Sequence, residues 1–291
     1  MNPLDLVKLT SLMKLTSGRP KIAVGLIDGP VAIDHPDLSG ANIRGIPDTL
    51  SGACAGANSA ACKHGTFVAR ILCGKPSVVS PSICRHCSLL VRPVFAGTAE
   101  ADGKEPSATS AGLAAAIIDC VDGGAHIINL SAATIQPSSS GSRELGESLN
   151  YAARRGVIIV AAAGNQGTVG GSMITRHSWV IPVVACDHRG RPLGLSNLSS
   201  STGKRGIMAP GRSVTDLSMD GRPVILEGTS VSVPFVSGTI ALLWSIFPRA
   251  SAALLRSAVL QLGITRRSSV LPPLLDASAA LAVVASANSG R

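Results

Sequence analysis

Apolar and polar positions alternate along the chain in two periods. Lys21 to Ile27 is a short β-branched run that stops at Asp28-Gly29-Pro30, which predicts a buried strand entering a turn. Residues 64–74 follow a helical pattern, and Ser88 to Val94 reads as the next strand. Ser107 has the chemistry of an N-cap for a helix ending at Gly123-Gly124, with Leu113, Ile117 and Val121 on one face at spacings of four. Ala125 to Leu130 is a further strand. Residues 144–155 form a helix with Arg154 and Arg155 in its last turn, where cations complement the dipole. The serine-rich stretch Pro137 to Ser142 reads as a polar loop ahead of that helix. Val157 to Ala163 and Trp179 to Ala185 are strands, and 206–227 reads as short strands with a hairpin turn at Asp220-Gly221. Helices over 230–247, 251–262 and 275–286 close the chain.

Continuous apolar strands separated by helices imply an α/β fold, a mostly parallel sheet with helices on both faces. No linker, composition break or repeat divides residues 21–291, which read as one domain behind an N-terminal extension, 1–20. With 45% apolar but only 2% aromatic residues, the core must be built from Ala, Val, Leu and Ile.

Charge narrows the function classes. The net charge is +9, yet the cations are scattered, runs do not exceed pairs such as Arg154-Arg155, and one Tyr and two Trp offer few stacking platforms. Nucleic acid is therefore not an expected partner. Nor is a membrane. Lys8 and Lys14 interrupt any signal-like apolar stretch near the start. The uncharged run Gly228 to Pro248 carries Pro234, Gly238 and several hydroxyl residues, so it reads as a buried core helix. A cytoplasmic protein with mostly reduced thiols is expected. The single Cys84-Arg-His-Cys87 pair is weak evidence for zinc, and a disulfide between near neighbours such as Cys54 and Cys62 stays open.

Parallel sheets carry their sites at the carboxyl ends of their strands. Asp28 follows Val24-Gly-Leu-Ile27, Ser131 follows Ile127-Ile-Asn-Leu130, and Gly164-Asn165 follows Val160 to Ala163. His64 and Ser230 stand at the predicted starts of helices. Singly, these are ordinary turn formers and caps. Together, an Asp, a His, an Asn and a Ser at one sheet edge have the chemistry of acyl transfer: a carboxylate orients an imidazole, the imidazole takes the serine proton, and an amide meets the oxyanion. Asp, His, Ser is one of the known triad orders. Gly97 to Lys104 only approximates a phosphate loop. Its first glycine is misplaced and Glu105 stands where Ser or Thr is needed.

These motifs resemble those of the subtilisin-like serine proteases. Val24 to Pro30 with His35-Pro-Asp-Leu38 resembles the aspartate motif, His64 to Ala69 the histidine motif, Ala161 to Asn165 the oxyanion motif, and Gly228 to Gly238, preceded by Ala209-Pro-Gly211, the serine motif. The resemblance implies the three-layer subtilisin-like fold and a role for each residue. Asp28 would orient His64, His64 would act as base then acid, Ser230 would be the nucleophile, and Asn165 would hold the oxyanion. The segments Ser131, Ala132, Ala133 and Ala161, Ala162, Ala163, Gly164 would flank the substrate. No cofactor is implied. Asp37 matches a calcium ligand of the family, but the loop Gly74 to Pro81 has no further carboxylate, so no metal is expected there.

Asp28-Gly-Pro-Val31, His35-Pro36, Gly40-Ala-Asn42, Gly124 to Asn129 and Ala209-Pro-Gly211 are similar to the cyanobactin maturation proteases, which trim ribosomally made precursor peptides. Members that cyclise carry a helical insertion between Asp and His. Only 36 residues separate Asp28 from His64, which leaves no room for one. Asp28 also lies too close to Met1 for a long folding propeptide. Phe67 replaces the family's second histidine, and Ala132-Ala133 replace the usual glycines. The expected partner is thus a precursor peptide whose leader is cut, with the basic surface suited to an acidic leader. The alternatives are a generalist intracellular protease and a scaffold that binds peptides without cutting them.

Overall fold

The computed structural model describes residues 2–46, 54, 59–76, 81–95, 108–131, 139–217, 223–261 and 269–289. Nine strands are assigned among them: β1 (Ala23–Asp28), β2 (Asn42–Gly45), β3 (Ser88–Pro93), β4 (Ile127–Leu130), β5 (Ile158–Ala162), β6 (Ile181–Cys186), β7 (Ile207–Pro210), β8 (Val214–Leu217) and β9 (Pro223–Leu226). The first seven form one parallel sheet in the order β2-β3-β1-β4-β5-β6-β7, while β8 and β9 pair antiparallel apart from it. The chain lays β2 and β3 on one side of β1 and then crosses to build β4 through β7 on the other. The carboxyl ends of β1 and β4 therefore meet where the strand order reverses, which is where such sheets leave a crevice.

The helices are α1 (Pro3–Leu6), α2 (Leu9–Met13), α3 (Ala60–Cys73), α4 (Ser110–Asp122), α5 (Ser139–Arg154), α6 (Met173–Arg176), α7 (Ser200–Arg205), α8 (Thr229–Ile246), α9 (Ala252–Leu260) and α10 (Ala277–Ser289). Side chains alternate across each strand, so the sheet supplies two cores. Val24, Leu26, Ile158 and Val160 face α3, α8, α9 and α10, whereas Ile27, Ile128, Ile159 and Ala161 face α4 and α5. This is the expected three-layer α/β architecture. Strand α-carbons in register across β1 and β4, such as Ile27 with Leu130, bring both strand ends to one level.

Several boundaries differ from expectation. α4 is capped by the Thr109 side chain on the Gly112 N–H, and Ser107 lies outside the described residues. α5 starts at Ser139, inside the stretch expected to be a polar loop. Leu145, Leu149 and Ala152 are buried against α4, and that packing extends a helix through serines of poor propensity. α3 starts at Ala60 under a Ser59 cap, so His64 stands in its second turn rather than at its start. The β8–β9 pairing gives the expected hairpin strands, while Asp220-Gly221 lies outside the described residues.

The N-terminal segment packs as part of the body. Val7, Leu9 and Leu12 are buried in the larger core, the Val7 carbonyl accepts from the Ala277 N–H, and Lys8 pairs with Asp276 at 2.5 Å. α8 is long and apolar enough to cross a membrane, yet 83% of it is buried within the protein, between β4–β7 and its neighbouring helices. A helix that apolar all round needs a covered site, and the fold supplies one.

Candidate active site

Asp28 ends β1 fully buried, and its Oδ1 accepts from the Gly29 N–H at 2.6 Å and from His64 Nδ1 at 2.7 Å. His64 reaches Asp28 because α3 lies almost in contact with the turn after β1. A Cβ on Gly65 would stand 2.4 Å from the Gly29 carbonyl oxygen, and one on Gly29 would stand 2.0 Å from that of Ala61. Two facing glycines are what permit that approach. The other imidazole nitrogen, Nε2, lies 2.9 Å from Ser230 Oγ. With Nδ1 donating to the carboxylate, Nε2 is left as the acceptor for the hydroxyl proton.

Ser230 is the second residue of α8, behind Gly228, whose φ of +135° is open to glycine alone at low cost. The Asn165 carboxamide lies beside it. Its Oδ1 accepts from both the N–H and the hydroxyl of Thr229, each at 2.9 Å, which fixes Nδ2 as the outward donor. Ser131, half-buried at the end of β4, donates to the Ser230 carbonyl at 3.4 Å. The fold therefore gathers Asp28, His64, Ser230, Asn165 and Ser131 at one edge. Ala162 is half-buried on the cleft side of β5, followed by buried Ala163 and Gly164, but the Ala161 side chain points into the opposite core. Ala132 and Ala133 lie outside the described residues.

Two further features stand at this edge, the first of them missed by sequence reasoning. Arg70, six residues after His64 on α3, is buried, and its guanidinium pairs with Asp37. The carboxylate that would be a calcium ligand thus already faces a fixed cation, and calcium also needs six to eight oxygens. These residues do not fit a calcium ion. Asp37→Ala removes the carboxylate that faces the buried guanidinium and is expected to cost roughly 2 kcal/mol. Thermal melts should show the same loss with and without added calcium. Stabilisation by calcium that disappears in Asp37→Ala would contradict this.

The second feature is a disulfide between Cys54 and Cys62, eight positions apart, with Cys62 two residues before His64. Cysteine spacing leaves this pairing open, and the fold makes it. The remaining described cysteines are free and buried, and burial pushes Cys73, Cys120 and Cys186 up to about 12. Closing so short a ring restricts the unfolded chain, so Cys54→Ser is expected to lower stability by about 2 kcal/mol. Denaturant unfolding of the variant should match that of reduced wild type, and a reductant that leaves the wild-type midpoint unmoved would contradict it.

A parallel sheet covered on both faces, with a carboxylate, an imidazole and a hydroxyl hydrogen-bonded in line at its carboxyl edge, defines a class of α/β proteins. Within that class the chain belongs to the subtilase family, peptidase S8, whose family model matches residues 19–264. A serine-to-alanine variant of the protease domain of PatA superposes with a TM-score of 0.81 at 31% identity, over 93% of this chain and 97% of that one. The prenylagaramide maturation protease PagA gives 0.80 at 29% identity, over 95% and 98%. Among curated proteins, the thermostable alkaline protease of Halalkalibacterium halodurans is 35% identical over 49% of this chain, and the aligned part is 37% of that relative's length.

Proposed function

We propose that the chain is a serine endopeptidase that cuts the leader from a ribosomally made precursor peptide. The observation that carries the reading is the unbroken line Asp28–His64–Ser230, with contacts of 2.7 and 2.9 Å, beside an Asn165 amide whose orientation is fixed. As Ser230 Oγ attacks the scissile carbonyl carbon, its proton passes to His64 Nε2, and Asp28 stabilises the imidazolium. The carbonyl oxygen becomes an oxyanion that Asn165 Nδ2 and the Ser230 N–H meet. His64 then gives the proton to the leaving amine, the peptide bond breaks, and an acyl-serine remains. Water, losing a proton to His64, cleaves that ester and restores the hydroxyl.

The choice of substrate is supported by the resemblance to two maturation proteases across nearly the whole chain. The separation of only 36 positions from Asp28 to His64 favours hydrolysis over cyclisation. Digestion of a proteome-derived peptide library, read by mass spectrometry against a Ser230→Ala control, tests the reading. Few cuts sharing residues on both sides of the bond are the expected result. Many cuts at a loose consensus would mean a generalist protease, and none would mean a binding scaffold.

A further inference from the structure

We propose that Asn129 and Ser237 are positioning residues, joined through Ser131 in a buried hydrogen-bonded line that holds the backbone of Ser230. The inference rests on the protease reading above. It starts from an anomaly in each of two elements. β4 is otherwise apolar, yet it carries Asn129 with no exposed surface. α8 contains Pro234, four residues after Ser230. Proline has no N–H, so the helical partner of the Ser230 carbonyl is missing. A buried carbonyl needs another donor.

Ser131 supplies it, its hydroxyl donating to that carbonyl at 3.4 Å. The Ser131 oxygen in turn accepts from Asn129 Nδ2 at 3.0 Å. Asn129 Oδ1 accepts from Ser237 Oγ at 2.6 Å, and the Ser237 hydroxyl also lies 3.1 Å from the Val233 carbonyl, one turn back on α8. All the links donate in one direction, from the middle of α8, across the end of β4, to the first turn of α8. Aligned hydrogen bonds of this kind reinforce one another in a low dielectric. The line closes a bracket on α8: seven residues beyond the nucleophile, Ser237 sets the strand side chain that fixes the nucleophile's own peptide. The Ser230 N–H and Oγ belong to the residue whose carbonyl is held, so slack in the line would misplace both. The link to Ser230 is the longest, which makes its effect modest.

Steady-state kinetics on the fastest-cut peptide of the library test this. Ser131→Ala and Ser237→Ala are each expected to lower kcat about fivefold with KM unchanged. The double variant should be no worse than either single, because one line is broken once. Ser131→Thr, which keeps the hydroxyl, should recover wild-type kcat. Additive losses in the double variant, a loss confined to KM, or wild-type kcat in Ser131→Ala would each overturn the proposal. So would a Ser237→Ala chain that melts early but turns over normally, since a merely structural serine would behave that way. If Ser237→Ala fails to fold, the Ser131→Ala and Ser131→Thr pair decides by the same criterion. Wild-type cutting that is abolished in Ser230→Ala, with Ser131→Ala unaffected, overturns the line alone. Absence of Ser230-dependent cutting in the wild type overturns the protease reading and the line with it.

Discussion

Ser230→Ala is expected to keep the melting temperature and KM of the wild type while kcat falls by about 10⁶, the scale of losing a triad nucleophile in this family. Removal of one oxygen at a helix start that has no side-chain cap leaves no cavity of consequence. The loss is confined to the transition state, where Oγ forms the new bond. His64→Ala should cost about as much, because an unassisted hydroxyl is a poor nucleophile at neutral pH. Ser230→Ala/His64→Ala should then be no slower than either single variant, since the pair acts as one unit. Asp28→Asn is expected to cost about 10⁴ by favouring the wrong imidazole tautomer. In this chain that tautomer is set by one oxygen, Oδ1, which receives both His64 Nδ1 and the Gly29 N–H. Active-site titration followed by single-turnover assays would measure each value. Residual cutting by Ser230→Ala above one part in 10⁴ would place the nucleophile elsewhere.

Asp28, Asn165 and Ser131 are legible because they sit where strands stop. A buried strand must end in a turn former, so Asp28, Ser131 and Asn165 mark the carboxyl edge in the sequence itself. Ser230 was legible through Gly228, which opens a helix. His64 was harder, because its position depends on a tertiary contact, Gly65 against Gly29, that no local pattern records. The helix start was set by Ser59, ahead of a turn in which Ala60 and Ala61 gave no amphipathic signal. Arg70 was hidden for a similar reason. On an otherwise apolar helical face it reads as a boundary residue, and its pairing with Asp37 comes from a distant turn that no local pattern records. The line through Asn129 and Ser237 joins positions 108 residues apart. Its one local trace is an asparagine inside an apolar strand, together with a proline four residues past the nucleophile. The disulfide was an open alternative because cysteine spacing permits a bridge without requiring it.

Asn165→Ala is expected to lower kcat by about 10²–10³ while KM stays within about twofold. The amide contributes little to ground-state binding, since a neutral carbonyl oxygen lies off the line on which the oxyanion develops. Its contribution appears only as charge accumulates. In this chain the amide is aimed by its neighbour. Both donors of Thr229, backbone and hydroxyl, converge on Asn165 Oδ1, so the Nδ2 face is presented without the cost of ordering it during reaction. Thr229→Val removes one of those two bonds, together with the acceptor for the Gly164 N–H, keeps the shape, and should lower kcat by about fivefold. In the Asn165→Ala background the same Thr229→Val change should lower kcat by less, because the group it aims is gone and only the Gly164 bond is still lost. Asn165→Asp provides the opposite control. It is nearly isosteric, yet it puts a carboxylate oxygen where the amide hydrogens were, so it should be slower than Asn165→Ala at pH 7. Equal rates for the two variants would mean that the side chain of Asn165 never meets the developing charge, and the oxyanion would then have to rest on the backbone at Ser230 alone.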